Sequence, residues 1–375
     1  MDKPISQATL SNGIKIMENE VKELLVLREQ MSQVNEKIMT QLNQFIEISN
    51  QIGKMKDKLG LPHFDPQREF EMLKEVEQKN KGPMPQDMMK RVFKEIFQAS
   101  VEEMGVETRR KLKVNRLPTS QDLVIDINGI KIGGKNPIII SGPCSVESYE
   151  QLSNTAKKLR KMGIRILRGG AFKPRTSPYS FQGLEEEGLK ILKTIADELD
   201  MIVVTEILNV VDIPLILKYA DIIQVGTRNM YNYSLLKELG KIDKPVLLKR
   251  GFMATLDEFI LAAEYIYLGG NHQIILCERG IRTFETQTRN TLDISSIPII
   301  KKETHLPIVV DISHSVGRKD IIKPIARAAL AVGSDGIIFE SHYNPSLALS
   351  DSSQQLDLDE AEELINYLKK YFIFS

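Results

Sequence analysis

The fold is decided by the stretch Pro137-Ile138-Ile139-Ile140, which is followed closely by Gly142-Pro143-Cys144. Here a short run of apolar residues leads directly into polar side chains. Continuous apolar runs of this length suit strands buried on both faces, and the helix-like segments between them favour parallel pairing. Seven further runs lie downstream, and nearly every one also leads into a polar cluster. They lie at residues 164–168, 201–206, 221–228, 245–250, 273–279, 307–314 and 336–340.

Eight such units predict an α/β fold, a closed (β/α)8 TIM barrel. In that architecture the active site is built at the carboxyl ends of the strands, where the loops carry the reactive groups. The polar residues that fall there are Cys144, Arg168, Lys249, Arg279, His314 and Glu340.

The chain of 375 residues exceeds what one barrel needs, so a further unit is expected in front of it. We predict a three-helix domain at 17–105, a polar linker at 106–121 and the barrel at 122–375. Alternation around Asn128-Gly129 predicts a small β-hairpin just before the barrel.

Composition narrows the functional classes. Fifty basic and fifty acidic residues give no net charge, which argues against a nucleic-acid or anionic-membrane partner. Residues 1–17 lack the apolar core of a signal peptide, and no run of about 18 apolar residues could span a bilayer, so we expect a cytoplasmic protein. Only Cys144 and Cys277 could form a disulfide, which makes a disulfide framework improbable.

Apolar residues recur at spacings of three and four from Leu24 to Leu59, which predicts one helix of about 36 residues, about 54 Å long. Asp65 is expected to cap a second helix that begins at Pro66, and a third is predicted at 86–104. Three helices of unequal length leave much of the long one uncovered. We therefore expect a homo-oligomer that pairs through this domain, with a tetramer as the expected assembly and a dimer as the alternative.

Four residues of metal-binding type lie at or just beyond predicted strand ends. Taken singly, each has a simpler interpretation: a core cysteine, a hydrogen-bonded histidine, or a helix cap. Their joint placement at one end of a barrel favours a single divalent ion, with manganese, iron, cobalt and zinc all compatible with mixed sulfur, nitrogen and oxygen ligands. The four are Cys144, His314, Glu340 and Asp351.

Six cations lie at or just past the ends of strands two, four, five and six. Exposed Lys and Arg usually form a solvated surface, but six at one rim of a neutral protein predict a pocket for a small, multiply anionic, phosphorylated substrate. Residues 173–178 have the composition of a phosphate-binding loop. The cations are Arg168, Lys173, Arg175, Arg228, Lys249 and Arg279.

Several of these motifs, in this order, closely resemble the type I beta group of 3-deoxy-D-arabino-heptulosonate 7-phosphate (DAHP) synthases. The resemblance covers the barrel from about Asp122 onward. It rests on Gly142-Pro143-Cys144-Ser145, the segment 167–178, Cys277-Glu278-Arg279-Gly280, the segment 311–315 and Glu340-Ser341-His342.

The resemblance implies condensation of phosphoenolpyruvate with erythrose 4-phosphate, the first step of the shikimate pathway. It implies that Cys144, His314, Glu340 and Asp351 hold the metal, and that Lys173 and Lys249 take part in catalysis with Cys144 and His314. Phosphoenolpyruvate would be bound by Arg168, Lys173, Arg228, Lys249 and Arg279. Erythrose 4-phosphate would be bound by Lys173, Pro174, Arg175 and Thr176.

Residues from Met17 to about Met104 resemble the all-helical chorismate mutases. The resemblance rests on Leu27-Arg28-Glu29, Gly53-Lys54-Met55-Lys56, the segment 65–69 and Ser100. It implies that Arg28 reaches a partner's site. The pocket for a dicarboxylate would be lined by Lys56, Asp65, Arg68, Glu69 and Ser100.

Two positions depart from the mutase pattern: Phe45 replaces a carboxylate-binding arginine, and Met104 replaces a glutamine near the ether oxygen. We expect weak or absent mutase activity and a dimerising, sensing domain that binds chorismate or prephenate and inhibits the barrel. The alternatives are a bifunctional enzyme with an active mutase, and plain packing with Asp65 as a cap and Arg68 and Glu69 as surface charges.

Three rivals remain for the barrel. A 3-deoxy-D-manno-octulosonate 8-phosphate synthase would share barrel, metal site and cations, but its loop differs from 173–176. A Schiff-base aldolase using Lys249 leaves the metal-type residues unexplained. A non-catalytic scaffold assembled through the long helix is the third.

Overall fold

The computed structural model describes residues 7–59, 61, 65–110, 112–117, 119–173, 179 and 181–375, with the side chains of 7–19, 57, 102 and 104–110 outside the description. The chain divides into two compact units, Met1–Lys111 and Leu112–Ser375. In the described part of the chain, no helix is both long and apolar enough to cross a membrane.

The first unit contains three helices, α1 (Gln7–Leu59), α2 (Pro66–Lys79) and α3 (Gln86–Arg110). Asp65 caps α2 as predicted, since its carboxylate accepts a hydrogen bond from the backbone amide of Arg68 at 3.1 Å. The long helix has 53 residues and begins well before Leu24, because no proline interrupts the preceding polar stretch. Helix α3 continues past Met104 to Arg110, so the predicted linker at 106–121 was wrong over its first residues.

A β-hairpin opens the second unit, as predicted. Strands β1 (Ile125–Ile127) and β2 (Ile130–Ile132) pair antiparallel. Asn128 and Gly129 have φ values of 49° and 81°, the left-handed conformation that a two-residue hairpin turn of type I′ requires.

The eight predicted barrel strands are confirmed, and they close into a parallel barrel in chain order, with the last strand beside the first. Each strand is fully or almost fully buried. The strands are β3 (Ile138–Gly142), β4 (Ile166–Arg168), β5 (Ile202–Ile207), β6 (Ile222–Val225), β7 (Val246–Lys249), β8 (Ile274–Glu278), β9 (Ile308–Asp311) and β10 (Gly336–Glu340).

Both faces of these strands are apolar because one packs into the core inside the barrel and the other into the core between the strands and the helices. Ile138 and Ile140 on β3 belong to the cluster inside the barrel, whereas Ile139 between them packs into the layer between strands and helices. Consecutive side chains of a strand point to opposite faces, so a continuous apolar run fills both layers at once. The chemistry is therefore confined to the strand ends.

Helices on the outside of the barrel and short helices at its rim complete the unit. Several start at side-chain caps, among them Ser148 on α4, Thr255 on α8 and Asp357 on α12. The helices are α4 (Tyr149–Lys161), α5 (Glu185–Glu198), α6 (Ile213–Ile216), α7 (Tyr233–Leu239), α8 (Leu256–Leu268), α9 (Ser296–Glu303), α10 (Ile312–Val316), α11 (Ile322–Ala331) and α12 (Leu358–Leu368).

Candidate functional site

Four potential metal ligands converge at the carboxyl ends of β3, β9 and β10. The Sγ atom of Cys144 and one carboxylate oxygen each of Glu340 and Asp351 lie within 4.8 Å of one another. The Nε2 atom of His314 lies 3.5 Å from Glu340 Oε1 and 3.7 Å from Asp351 Oδ2. The four residues predicted from sequence therefore share one site.

The spacing of these four donors suits one ion. Ligand atoms that sit about 2.0 to 2.3 Å from a common metal lie roughly 3 to 4 Å from one another. The distance from Cys144 Sγ to Asp351 Oδ2 is 3.8 Å, in the same range as the two histidine distances. The residues present thus fit a divalent transition metal by number, type and spacing.

A glycine lets Cys144 reach this position. Gly142 ends β3 with φ at 152°, and a Cβ atom there would lie 2.0 Å from the carbonyl oxygen of Arg168 on β4. No other residue allows the end of β3 to approach β4 so closely. Beyond it, the amide of Cys144 donates to Gln355 Oε1 at 3.0 Å, which fixes the cysteine backbone.

His314 is oriented by Asp311, a member of the 311–315 motif for which the sequence pattern predicted no role of its own. Asp311 caps α10 by accepting a hydrogen bond from the His314 amide at 2.9 Å, and its Oδ2 lies 2.8 Å from His314 Nδ1. An ionised carboxylate only accepts, so Nδ1 carries the proton and Nε2 presents its lone pair to the site. The spacing of an Asp three residues before a His is the N-cap pattern that could have indicated this.

Asp311 also joins the ligand cluster to the cations, because its Oδ2 accepts from Lys249 Nζ. On the other side, Arg168 forms an ion pair with Glu340. The Nζ atom of Lys173 lies 2.8 Å from the carbonyl oxygen of Cys144 and 3.2 Å from its Sγ. Three of the predicted cations thus contact the ligand cluster or its supporting carboxylate.

Two more of the predicted cations, Arg228 and Arg279, lie against the same aromatic ring. The guanidinium carbon of Arg279 lies 4.9 Å from the ring centre of Phe252, and that of Arg228 lies 5.5 Å from it. Arg279 is buried, and its Nε atom has no hydrogen-bond partner among the residues that the structure describes. Pro174, Arg175 and Thr176, predicted to bind the sugar phosphate, lie outside the described residues.

Burial and the neighbouring charged groups together set the charge states of the cluster. It raises the pKa of Cys144 to about 11, with Glu340 adding to the effect and Lys173 opposing it. Burial would also raise the pKa of Glu340, but His314, Arg168 and Lys173 outweigh it and hold that pKa well below its usual value. The same balance, with His314 and Lys249 as the partners that oppose burial, holds the pKa of Asp311 well below its usual value. Glu340 and Asp311 are therefore ionised, and the Glu340 carboxylate is in the charge state that binds a cation.

Residues missed by the sequence analysis support the ligands. Gln354 donates through Nε2 to Glu340 at 2.6 Å and to Asp351 at 3.3 Å, and Arg289 reaches Asp351 at 3.1 Å. The hydroxyl of Ser350 lies 2.9 Å from Cys144 Sγ. Ser350 and Gln354 follow β10 in an irregular loop where Asp351 itself has a φ of 49°, whereas Arg289 lies between β8 and α9. No periodicity in the sequence indicates any of the three.

The helical unit has a separate pocket of about 270 Å³. Phe45 lines it and stacks on Phe97 with ring centres 5.9 Å apart. The structure brings five of the predicted effector-site residues together there, while Arg28 lies on an exposed part of α1. The side chain of Met104 lies outside the description. The five residues are Lys56, Asp65, Arg68, Glu69 and Ser100.

Comparisons with known proteins agree on both units. Residues 114–373 match the family model described as the DAHP synthetase I family, and residues 27–104 match chorismate mutase type II. A phospho-2-dehydro-3-deoxyheptonate aldolase of Thermotoga maritima is 58% identical over 250 residues, covering 67% of this chain and 74% of the relative. A 2-dehydro-3-deoxyphosphooctonate aldolase of Geobacter sulfurreducens is 33% identical over 267 residues, covering 65% of this chain and 96% of the relative.

Solved structures give the same result. The crystal structure of the DAHP synthase of Thermotoga maritima superposes with a TM-score of 0.67 at 57% identity, covering 69% of this chain and 76% of that one. A truncated form of the enzyme from the same organism gives a TM-score of 0.64 at 53% identity, covering 68% of this chain and 94% of that one.

Proposed function

The chain belongs to the DAHP synthetase I family and is a DAHP synthase enzyme with a chorismate mutase domain ahead of the barrel, and we propose that its reaction depends on one divalent metal. The observation that carries the proposal is the cluster of three donor residues, Cys144, Glu340 and Asp351, with His314 Nε2 within 4 Å of both carboxylates. The proposed ligands are Cys144, His314, Glu340 and Asp351.

The proposed reaction joins C3 of phosphoenolpyruvate to the aldehyde carbon of erythrose 4-phosphate. Electrons of the enol double bond form the new carbon–carbon bond, water adds to C2, and the phosphate leaves with its bridging oxygen. A metal at the proposed site would polarise the aldehyde oxygen as a Lewis acid. Three carbons and four carbons give the seven-carbon product.

The cations supply binding and charge stabilisation. Two anionic substrates must be held together, and fixed guanidinium and ammonium groups offset their repulsion without reorganising during the reaction. We assign phosphoenolpyruvate to Arg168, Lys173, Arg228, Lys249 and Arg279. Erythrose 4-phosphate is assigned to Lys173, Pro174, Arg175 and Thr176, from the family resemblance.

Lys249 is proposed to move protons at the reacting oxygen atoms, giving one to the aldehyde oxygen as the new carbon–carbon bond forms, and not to form a Schiff base. Its ammonium contacts the ionised carboxylate of Asp311, and a charged, paired amine is a poor nucleophile. Borohydride added with both substrates is expected to leave the enzyme active. Lasting inactivation with a reduced adduct on Lys249 would favour the aldolase alternative.

Phosphate release tests the proposal. Inorganic phosphate should appear only when both substrates are present, should stop after chelation, and should return when manganese, iron, cobalt or zinc is added back. A five-carbon sugar 5-phosphate in place of erythrose 4-phosphate tests the octulosonate alternative and is expected to give little release. Full activity in chelated enzyme without bound metal would contradict the metal dependence.

The helical unit is proposed to dimerise and to sense chorismate or prephenate. Its long helix exposes a row of apolar side chains, and in the described residues of this unit no other element covers them. A second copy of the same stripe is the partner we propose, with a tetramer as the expected full assembly, and sedimentation equilibrium measures it. The row includes Val21, Leu24, Leu27, Met31, Val34, Ile38 and Leu42.

Mutase activity is expected to be weak because Phe45 places an apolar ring in a pocket meant for carboxylates. Changing Phe45 to arginine should raise kcat/KM for chorismate about tenfold, since one charge-assisted hydrogen bond contributes about 1.5 to 3 kcal/mol. The Phe45→Leu variant is the matched control, because it removes the ring without adding a charge. Rapid chorismate turnover by the unmodified enzyme would contradict the impaired mutase and favour a bifunctional enzyme.

A further inference from the structure

Phe252 lies at the centre of three arginines. Besides Arg279 at 4.9 Å and Arg228 at 5.5 Å, the guanidinium carbon of Arg282 lies 4.2 Å from the centre of the same ring. All three are within the range in which an aromatic ring attracts a cation. Family resemblance and sequence pattern assigned no role to Phe252 or to Arg282.

The fold fixes the ring between the arginines. Phe252 follows β7, and β7 lies between β6 and β8 in the barrel. Arg228 comes just after β6, and Arg279 comes directly after β8. The carbonyl oxygen of Phe252 accepts a hydrogen bond from the Arg282 amide at 2.7 Å, which ties the two loops together. The preceding Arg250 is anchored by an ion pair of 2.8 Å with Glu278.

The surroundings of these arginines differ from those of Arg168. Arg168 is paired with Glu340, whereas none of the ion pairs found among the described residues involves Arg228, Arg279 or Arg282. A carboxylate would neutralise a guanidinium and occupy its N–H groups. The face of a benzene ring attracts the cation but accepts no hydrogen bonds in the guanidinium plane. Arg279 Nη1 donates to the Gly280 carbonyl oxygen at 3.1 Å, and the N–H groups that the protein does not occupy stay available to an anion.

The burial of the cluster supports the same interpretation. Arg279 is only 2% exposed, and its Nε–H has no partner within the described structure. Phe252 is partly buried, and Arg228 and Arg282 are exposed. A buried, unsatisfied donor is costly unless a ligand completes it. The cluster therefore presents one buried and two accessible guanidinium groups on a common ring.

We propose that Phe252 is a positioning residue for the binding of phosphoenolpyruvate, and that Arg282 is a third guanidinium contributing to the capture of its anionic groups. The proposal rests on the assignment of Arg228 and Arg279 to that substrate. Phe252 offsets the repulsion between the arginines in the empty site and leaves their N–H groups directed to the ligand.

The experiment uses the full-length, metal-loaded enzyme and steady-state kinetics with both substrates. Phe252→Leu keeps an apolar side chain without a ring and should raise KM for phosphoenolpyruvate about tenfold, since two or three cation–π contacts are lost. We expect kcat and KM for erythrose 4-phosphate to change less than about twofold, and Phe252→Tyr to restore the KM because its ring is retained. Met253→Leu, at the next position and 78% exposed, is the matched control and should behave as the unmodified enzyme.

Arg282→Gln should raise the same KM about threefold, and less at high salt, because the side chain is exposed. Equal changes in KM for both substrates, or equal kinetics of the Phe252→Leu and Phe252→Tyr variants, would overturn the role of the ring. An unchanged KM in Arg282→Gln would overturn the role of the third arginine.

Arg279→Gln separates this inference from the proposed function. If it raises KM for phosphoenolpyruvate strongly while Phe252→Leu does not, the substrate assignment stands and the inference fails. If Arg279→Gln leaves that KM unchanged, the substrate assignment itself is wrong.

Discussion

Changing Cys144 to serine is expected to lower kcat about a thousandfold and to leave the purified enzyme with little bound metal. The thiol is one of four converging donors, and its Sγ lies 3.8 Å from Asp351 Oδ2. A serine hydroxyl is a harder and weaker ligand than a thiolate for zinc, iron or cobalt. We therefore expect the variant to lose metal binding, and to lose activity because the metal is missing.

The other cysteine gives a matched control. Cys277 on β8 is equally buried, and burial raises its pKa to about 12. Among the described residues its Sγ has one hydrogen-bond partner, the carbonyl oxygen of Glu278 at 3.6 Å, and it is not among the clustered metal-type donors. Cys277→Ser should lower the melting temperature and keep metal stoichiometry near the unmodified value. Metal content by mass spectrometry and phosphate release are measured on both variants. Retention of stoichiometric metal and activity by Cys144→Ser would contradict the assignment of Cys144 as a ligand.

The strands and the residues at their ends were predictable because one physical rule covers both. A run buried on both faces must be apolar throughout, so its boundary with polar residues marks the strand end, and parallel strands bring all such ends to one rim. Cys144, Arg168, Lys249 and Glu340 were located in this way. The hairpin turn at Asn128 was predictable for a different local reason, its left-handed backbone.

The supporting contacts were not predictable, because they depend on distances between segments far apart in the chain. Gln354 touches Glu340 from a loop without periodicity, and Phe252 meets arginines from two neighbouring strands. The sequence also does not indicate which partner a charged side chain near a strand end will contact. Arg168 and Arg279 look alike there, yet one faces a carboxylate and the other an aromatic ring.

The predicted start of α1 and the predicted end of α3 were wrong for a related reason. Apolar periodicity reports where a helix packs, and the start of α1 before Leu24 and the end of α3 beyond Met104 lie where that periodicity is weak. Helix can continue through polar residues as long as no proline or strong cap stops it. The linker prediction over 106–110 took the weak apolar periodicity of these residues as a sign that the helix had ended.

Asp311→Asn is the second substitution with a large expected effect, because a single carboxylate serves three donors. Its Oδ1 accepts from the His314 amide, and its Oδ2 accepts from Lys249 and from His314 Nδ1. Asparagine has one acceptor oxygen, so in either orientation its NH₂ group faces a donor. We expect metal affinity to fall about 10- to 100-fold and kcat about 100-fold or more.

A buried aspartate at the opposite end of the barrel separates this effect from simple destabilisation. Asp335 precedes β10, pairs with Lys301 at 2.7 Å and accepts from the Ile308 amide at 2.8 Å, away from the ligand cluster. Asp335→Asn should lower the melting temperature, as Asp311→Asn does, because each leaves a cation with a weakened partner. Only Asp311→Asn should also reduce metal affinity, measured by titration with a competing chelator. Equal metal affinities in the two variants would mean that Asp311 acts through stability alone, and that the lone pair of His314 needs no carboxylate to direct it.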